Sequence, residues 1–315
     1  MATPLVAIVG PTASGKSALA LRLARERGGE IVSCDSLQVY RGLDVGSAKA
    51  TPEERAAVPH HLVDVADPGG AFSAADYARL AREALGGIRS RGKLPIVAGG
   101  TGLYLRALLQ GLFAGPSRDD ALRARLEAAA DRFGDARVHR LLARVDPEAA
   151  ARIRPRDRVR VVRALEVYRA TGRPISEGHR GETEPLRGYS VLVVGLDPGR
   201  DELRRAITER TRRMVEAGLV EEVRGLLAGG LDPGARPLQA IGYRQALAVA
   251  RGELGVEEAE QAIVASTLRF AKRQRTWFRH QAEARWFPAE DEAFTAVLAW
   301  LDEEAAREIR ANSLT

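Results

Sequence analysis

An apolar run over residues 5–10 stops at a glycine and leads into Gly10-Pro11-Thr12-Ala13-Ser14-Gly15-Lys16-Ser17. This octet fits G-x-x-x-x-G-K-[ST]. It sits where that pattern has physical meaning, after a buried strand and at the opening of a helix. Glycines let successive backbone N–H groups turn inward around an anion. The helix N-terminus adds positive potential, Lys16 adds a point charge, and the Ser17 hydroxyl is a ligand for Mg²⁺. A chain that starts this way is held to an α/β core whose first strand delivers a phosphate-binding loop.

The rest of the chain extends that pattern. Residues 17–27 carry Ala18, Leu19, Leu21, Leu23 and Ala24 and read as a helix ended by Gly28-Gly29. Residues 30–34 read as a second strand, and residues 73–91 as a helix opened by a Ser73/Asp76 capping box. Residues 94–98 read as a third buried strand, stopped by Gly99-Gly100. Alternating strands and helices imply α/β, with a P-loop NTPase-like parallel sheet core. Gly115-Pro116-Ser117 then reads as a hinge. From Asp119 to about His179 the chain is helical, rich in Ala and Arg, with no strand signal. Tyr189–Leu196 returns to a strand, and helices follow over residues 201–217, 220–228, 239–250 and 256–281. The expected organisation is a catalytic core of residues 1–114 and 189–315, interrupted by a helical insertion domain over residues 115–188.

Composition narrows the partners. Charged residues make up 29% of the chain, with a net charge of +6 carried almost wholly by Arg. A basic surface favours polyanions, nucleic acid first. Arg-rich composition accounts equally well for the net charge, so the clustering of Arg decides. The single cysteine, Cys34, permits no intrachain disulfide, which fits a reducing cytoplasm. Residues 1–10 lack a secretory pattern and no run of about 18 apolar residues occurs. A cytoplasmic protein with no membrane span is therefore expected, and a monomer.

Nucleotide hydrolases with such a loop carry an apolar strand ending in Asp. Here the third strand runs into Gly99-Gly100-Thr101-Gly102 with no carboxylate, so the loop is suited to hold a diphosphate without cleaving a nucleotide. A carboxylate does follow the second strand, in Ser33-Cys34-Asp35-Ser36-Leu37-Gln38-Val39-Tyr40. Sites in open α/β sheets form at the carboxyl ends of strands, which places Asp35 toward the phosphate loop. A turn or helix cap is the plainer role for Asp35.

Taken together, the motifs resemble those of the tRNA dimethylallyltransferases, also called tRNA isopentenyltransferases. The matching pieces, beyond the phosphate loop, are Asp35-Ser-Leu-Gln-Val-Tyr40, Asp44-Val-Gly-Ser-Ala-Lys49, Pro59-His-His-Leu62, Gly99-Gly-Thr-Gly-Leu-Tyr104, Arg163-Ala-Leu-Glu-Val-Tyr168, Ile241-Gly-Tyr-Arg244 and Arg273-Gln-Arg-Thr-Trp-Phe-Arg279. They span nearly the whole chain in the family's order. The resemblance implies transfer of a dimethylallyl group from dimethylallyl diphosphate to N6 of the adenosine 3′-adjacent to the anticodon, with release of diphosphate. It implies Asp35 as general base, with Thr101 near the reacting atoms and Lys16 stabilising the leaving group. Gly10, Thr12, Ala13, Ser14, Gly15, Lys16, Ser17 and Arg210 would hold the diphosphate, with Mg²⁺ on Ser17. Asp35, Ser36, Leu37, Gln38 and Thr101 would meet the tRNA anticodon stem-loop, as would Arg123, Val159, Arg160, Val161, Val162 and Arg163. Gln239, Ala240, Ile241, Gly242, Tyr243 and Arg244 complete the implied contacts.

The residues themselves add detail. Arg152, Arg154, Arg156, Arg158, Arg160 and Arg163 crowd one stretch, opposed locally only by Asp157. Arg156, Arg160 and Arg163 would share one helix face, away from the apolar stripe Val161, Ala164, Leu165 and Tyr168. A solvated face normally mixes signs, so this one favours phosphate contact. Residues 272–280 mix basic and aromatic side chains; at least one of Trp277 and Phe278 is expected in the core. His60-His61 has no partner at metal-ligand spacing and reads as structural. The chain has Ile153-Arg-Pro-Arg-Asp157 where the family often reads Ile-His-Pro-Asn-Asp, and Gly46-Ser47 for a usual Gly-Thr. No Cys/His zinc finger follows the core, which fits the bacterial type. Rival readings are an adenylate isopentenyltransferase acting on free nucleotide, a small-molecule kinase, and an RNA-binding protein with a degenerate enzyme core. The first has little use for a large basic insertion, the second lacks its strand-end Asp, and intact Lys16, Asp35 and Thr101 oppose the third.

Overall fold

A computed structural model describes residues 2–113, 115–116, 118–178 and 183–312. Ser117 of the expected hinge and His179 at the end of the expected helical run lie outside the described residues. The chain forms two compact units, Met1–Leu109 with Leu186–Thr315, and Gln110–Pro185.

The first part of the core holds β1 (Thr3–Val9), α1 (Lys16–Arg27), β2 (Gly29–Ser33), α2 (Pro52–Ala57), β3 (His60–His61), α3 (Ala74–Ser90), β4 (Leu94–Ala98) and α4 (Gly102–Leu109). The inserted unit holds α5 (Asp120–Phe133), α6 (Asp135–Val145), α7 (Pro147–Arg152), α8 (Arg158–Thr171) and α9 (Ile175–Gly178). The core then resumes with β5 (Tyr189–Leu196), α10 (Arg200–Glu216), α11 (Leu219–Ala228), α12 (Tyr243–Ala250), α13 (Val256–Gln281), β6 (Arg285–Phe287) and α14 (Glu290–Asn312).

The sheet has six strands in the order β3-β2-β4-β1-β5-β6, and every pairing is parallel. Leu5, Val6, Ala7 and Ile8 of β1 are wholly buried, as a central parallel strand covered on both faces must be. One face packs Leu5, Ala7 and Val97 against Tyr77, Leu85 and Ile88 of α3. The other packs Val6, Ile8 and Val194 against Leu19 and Leu23 of α1 and Val297 and Trp300 of α14. Ser73 and Asp76 form the expected capping box at α3. Leu186 N–H donates to Leu109 O at 2.9 Å, so the core chain departs and returns side by side.

Several expected bounds shift. The second strand starts at Gly29 and ends at Ser33, although the Cys34 N–H still donates to Ala98 O at 2.8 Å. The stretch 239–250 is not one helix. A 3-10 turn over Arg236–Gln239 stops, Gly242 takes φ 95°, and α12 begins at Tyr243. β3, β6, α2, α4 and α14 add to the elements expected from the sequence, and the two strands are only two and three residues long.

The inserted unit is built on Glu166, which is fully buried. Arg123 reaches both its oxygens at 2.8 Å, Arg163 Nη1 donates to Oε2 at 2.5 Å, and the Asp119 N–H to Oε1 at 2.7 Å. Burial by itself raises the carboxyl, but these charge-assisted donors outweigh it and hold the group down at about 2. Because the folded value lies below the ordinary one, the stabilisation is present above about pH 4.5 and is lost as pH falls toward 2. Glu166→Ala would leave two arginines without their buried partner. We expect a loss of about 3 kcal/mol in urea denaturation; a loss under about 1 kcal/mol would show that the pair is not structural.

Candidate functional site

The phosphate loop takes its shape from positions where side chains cannot fit. Gly10 has φ 141°, and a Cβ there would lie 2.4 Å from the Leu196 carbonyl oxygen of the neighbouring strand. Ala13 is itself held at φ 62°, a conformation an L residue seldom adopts. Lys16 opens α1 and its ammonium reaches back to Pro11 O at 2.5 Å. Arg210 of α10 donates to Thr12 Oγ1 at 3.0 Å. Among the described residues neither cation has an ion-pair partner. Removal from water, and then the Arg210 charge, push the Lys16 ammonium down to about 7, against the opposing pull of Asp35. Arg210 is also lowered, by burial first, with Asp35 again opposing and Arg213 adding to the shift. The buried Ser14 hydroxyl has no hydrogen-bond partner among the described residues. Two poorly solvated cations, an unpartnered hydroxyl and a helix N-terminus together make a receptor for a multiply charged anion.

Asp35 follows β2 at the same end of the sheet. One carboxylate oxygen, Oδ1, accepts from Leu37 N–H at 2.8 Å, and the other has no partner among the described residues. Thr101 is fixed by its backbone, whose N–H donates to Cys34 O at 3.1 Å. Its hydroxyl accepts from Ser36 N–H at 3.0 Å, so it braces the Asp35 turn. The two strand ends approach so closely that a Cβ on Gly99 would lie 2.1 Å from Cys34 O. Gln38 accepts from Ser33 Oγ at 2.8 Å and donates to Ala48 O at 3.2 Å.

Three features went unread in the sequence. Gln274 of α13, nearly buried, accepts from Thr12 N–H at 2.9 Å and donates to Gly100 O at 2.9 Å. One amide thus clasps the phosphate loop to the end of β4. The signal was there: Gln274 lies on the buried face set by Ala271 and Phe278, where a polar residue needs a partner. Asp197, just past β5, accepts from Arg275 at 2.6 Å and Arg279 at 2.8 Å, so two of the basic residues in 272–280 are structural. Phe278 is in the core and Trp277 lies over Gly102. Glu222 of α11 accepts from the N–H groups of Asp44 at 2.8 Å and Val45 at 2.7 Å, and from Tyr243 OH at 2.7 Å.

The residues 239–244 divide by exposure. Gln239 and Arg244 face solvent, Ala240 and Ile241 are half-buried, and Gly242 and Tyr243 are buried. In the inserted unit, Val159 is 73% exposed whereas Val161 and Val162 are 2% exposed. The arginines there are not unopposed, as the local sequence implied. Arg158 pairs with Asp131 and Asp135, Arg160 with Asp157, and Arg163 and Arg123 with Glu166. Asp131 and Asp135 come from α5 and α6, and Glu166 from the next turn of α8 itself. Arg156 precedes α8 and does not share its face.

For a divalent cation, Ser17 is exposed at the start of α1. No cluster of three His, Cys, Asp or Glu side chains suited to a metal occurs among the described residues. His61 instead contacts Glu30 Oε2 at 2.7 Å. One hydroxyl beside an anion receptor fits Mg²⁺, which binds through few protein groups and completes its shell with phosphate oxygens and water.

Residues 38–281 match the family model described as IPP transferase. A tRNA dimethylallyltransferase of Geobacter sulfurreducens is 49% identical over 300 residues, covering 94% of this chain and 96% of its own. A solved tRNA isopentenylpyrophosphate transferase of Bacillus halodurans aligns with TM-score 0.70 and 38% identity, over 98% of this chain and 99% of its own. A eukaryotic dimethylallyltransferase acting on tRNA aligns with TM-score 0.74 and 25% identity, over 90% of this chain and 73% of its own.

Two outcomes follow for inorganic diphosphate as a probe of the loop. An anion raises a lysine whose free value is about 7, so binding takes up a proton and weakens as pH rises above 7. Calorimetry should show affinity falling by up to about tenfold per pH unit between 7 and 9, a dependence that Lys16→Arg abolishes; a flat wild-type profile would mean the amine stays protonated. Gln274→Leu strands the Thr12 N–H and Gly100 O, and should weaken the probe by about tenfold or more, measured in the same titration.

Proposed function

Because the chain belongs to the IPP transferase family, we propose that it transfers a dimethylallyl group from dimethylallyl diphosphate to tRNA. The acceptor is N6 of the adenosine 3′-adjacent to the anticodon, and diphosphate is released. The observation that carries the reading is the pairing of an anion receptor with a carboxylate at the same sheet edge. Asp35 lies close enough to Lys16 and Arg210 for each to feel its charge.

The phosphate loop amides, Thr12, Ser14, Lys16 and Arg210 grip the diphosphate. The Ser17 hydroxyl would hold Mg²⁺, which supplies further positive charge to the diphosphate oxygens when bound. An exocyclic adenine amine is a poor nucleophile, because its lone pair is shared with the ring. As that pair forms the bond to the allylic carbon, the carbon–oxygen bond breaks and its electrons leave on the diphosphate. Asp35 Oδ2 takes the N6 proton, a contribution worth about 10²- to 10⁴-fold. The charge that develops on the leaving group is met by Lys16 and Arg210, which have no ion-pair partner among the described residues to weaken their pull. Thr101 holds the Asp35 turn in place through Ser36.

The target base must leave its stack to reach Asp35. Ser36, Leu37 and Gln38 border that carboxylate, and Gln239 and Arg244 are the exposed members of the 239–244 segment. The helical insertion takes the anticodon stem, with Val159 and Arg160 as the outward groups of the 159–163 segment. Arg123 and Arg163 act there by fixing α8 through Glu166, as do Val161 and Val162 through the core.

Nucleoside mass analysis of unmodified tRNA incubated with the protein and dimethylallyl diphosphate tests the activity. A prenylated adenosine is expected in tRNA and none on AMP; transfer to AMP alone would overturn the proposal. For the mechanism, Asp35→Asn keeps size and the Leu37 hydrogen bond. Its single-turnover rate should fall by about 10²-fold or more with both substrates still bound. A normal rate with a lowered melting point would make Asp35 a turn residue only.

A further inference from the structure

We infer that the outward face of α6, carrying Arg137, Arg140 and Arg144, is a docking surface for the phosphate backbone of the tRNA helix. The inference rests on the tRNA reading above and reassigns part of the contact from α8. On a helix, positions 137, 140 and 144 fall within about 60° of one another. Val138 and Leu142 turn the opposite side of α6 into the core of the inserted unit. Unlike Arg158, Arg160 and Arg163 of α8, these three arginines have no ion-pair partner among the described residues. The one acid of α6, Asp135, is taken by Arg158. At the head of α6 stands Phe133, 55% exposed, an unusual cost in a chain so poor in aromatics. The guanidinium groups of Arg132 and Arg137 lie over its ring at 5.0 and 5.4 Å. The ring contact restricts both side chains, so less freedom is lost when they meet an anion.

A row of cations with no acid among them repels itself, and a polyanion relieves that repulsion. Its rise along the helix suits successive phosphates, and an arginine fork can take each one through two hydrogen bonds. Nothing in this face reads bases, so the contact adds affinity without selecting sequence.

The test is the salt dependence of binding to an unmodified tRNA, with the full-length protein. The triple variant Arg137→Gln, Arg140→Gln, Arg144→Gln should reduce the slope of log K against log salt by about 2 to 3 units. The rate at saturating tRNA should not change. Arg137→Lys, Arg140→Lys, Arg144→Lys keeps the charge and should keep most of the slope. Arg25→Ala with Lys93→Ala, at the far end of the sheet from the phosphate loop, should leave it unchanged. If the wild type modifies the tRNA and the glutamine variant retains its slope, the proposal is overturned and the face belongs to solvent or to another partner. If the wild type modifies no tRNA, the activity itself fails and this surface with it.

Discussion

Lys16 and Arg210 sit together at one loop with no ion-pair partner among the described residues, and the architecture around them serves to keep them there. Two like charges drawn partly out of water oppose folding, so they persist only where other contacts over-determine the site. Those contacts are visible. Gly10 lets the loop press against Leu196, Gln274 ties Thr12 to Gly100, and Arg210 is held on Thr12. The result is a receptor whose electrostatic deficit is made good by an anion with several charges. In the proposed reaction that anion is the leaving group, whose charge grows as the bond to it breaks.

Acids are handled in the opposite manner. Glu166, Glu222 and Asp197 are each surrounded by donors and do their work inside the fold. Asp35 differs from all three in having one oxygen without a partner among the described residues. A free oxygen is what the proposed role of Asp35 as a base requires.

Much of this was legible beforehand, for physical reasons. Long buried strands such as Tyr189–Leu196 announce themselves by composition, and Ser73 with Asp76 by capping chemistry. The loop over residues 10–17 is readable because its shape rests on backbone conformations that Gly10 and Gly15 adopt freely. What stayed hidden depends on pairing between distant residues. Arg163 reads as a free cation until Glu166 is seen to be buried beneath it. Gln274 reads as one polar residue in a basic stretch until Thr12 is brought to it across 262 positions. β3 and β6 are too short to carry a pattern, and exist because a neighbouring strand offers hydrogen bonds.

The hydrogen bond from Leu186 to Leu109 has a consequence for how such a chain can change over time. Because the core enters and leaves the insertion at one narrow neck, what lies between Gln110 and Pro185 contributes no strand to the sheet. The helices there can lengthen, shorten or exchange their surface charges while the reaction centre keeps its coordinates. Whatever the insertion contributes to recognition can thereby drift in descent without disturbing the sheet.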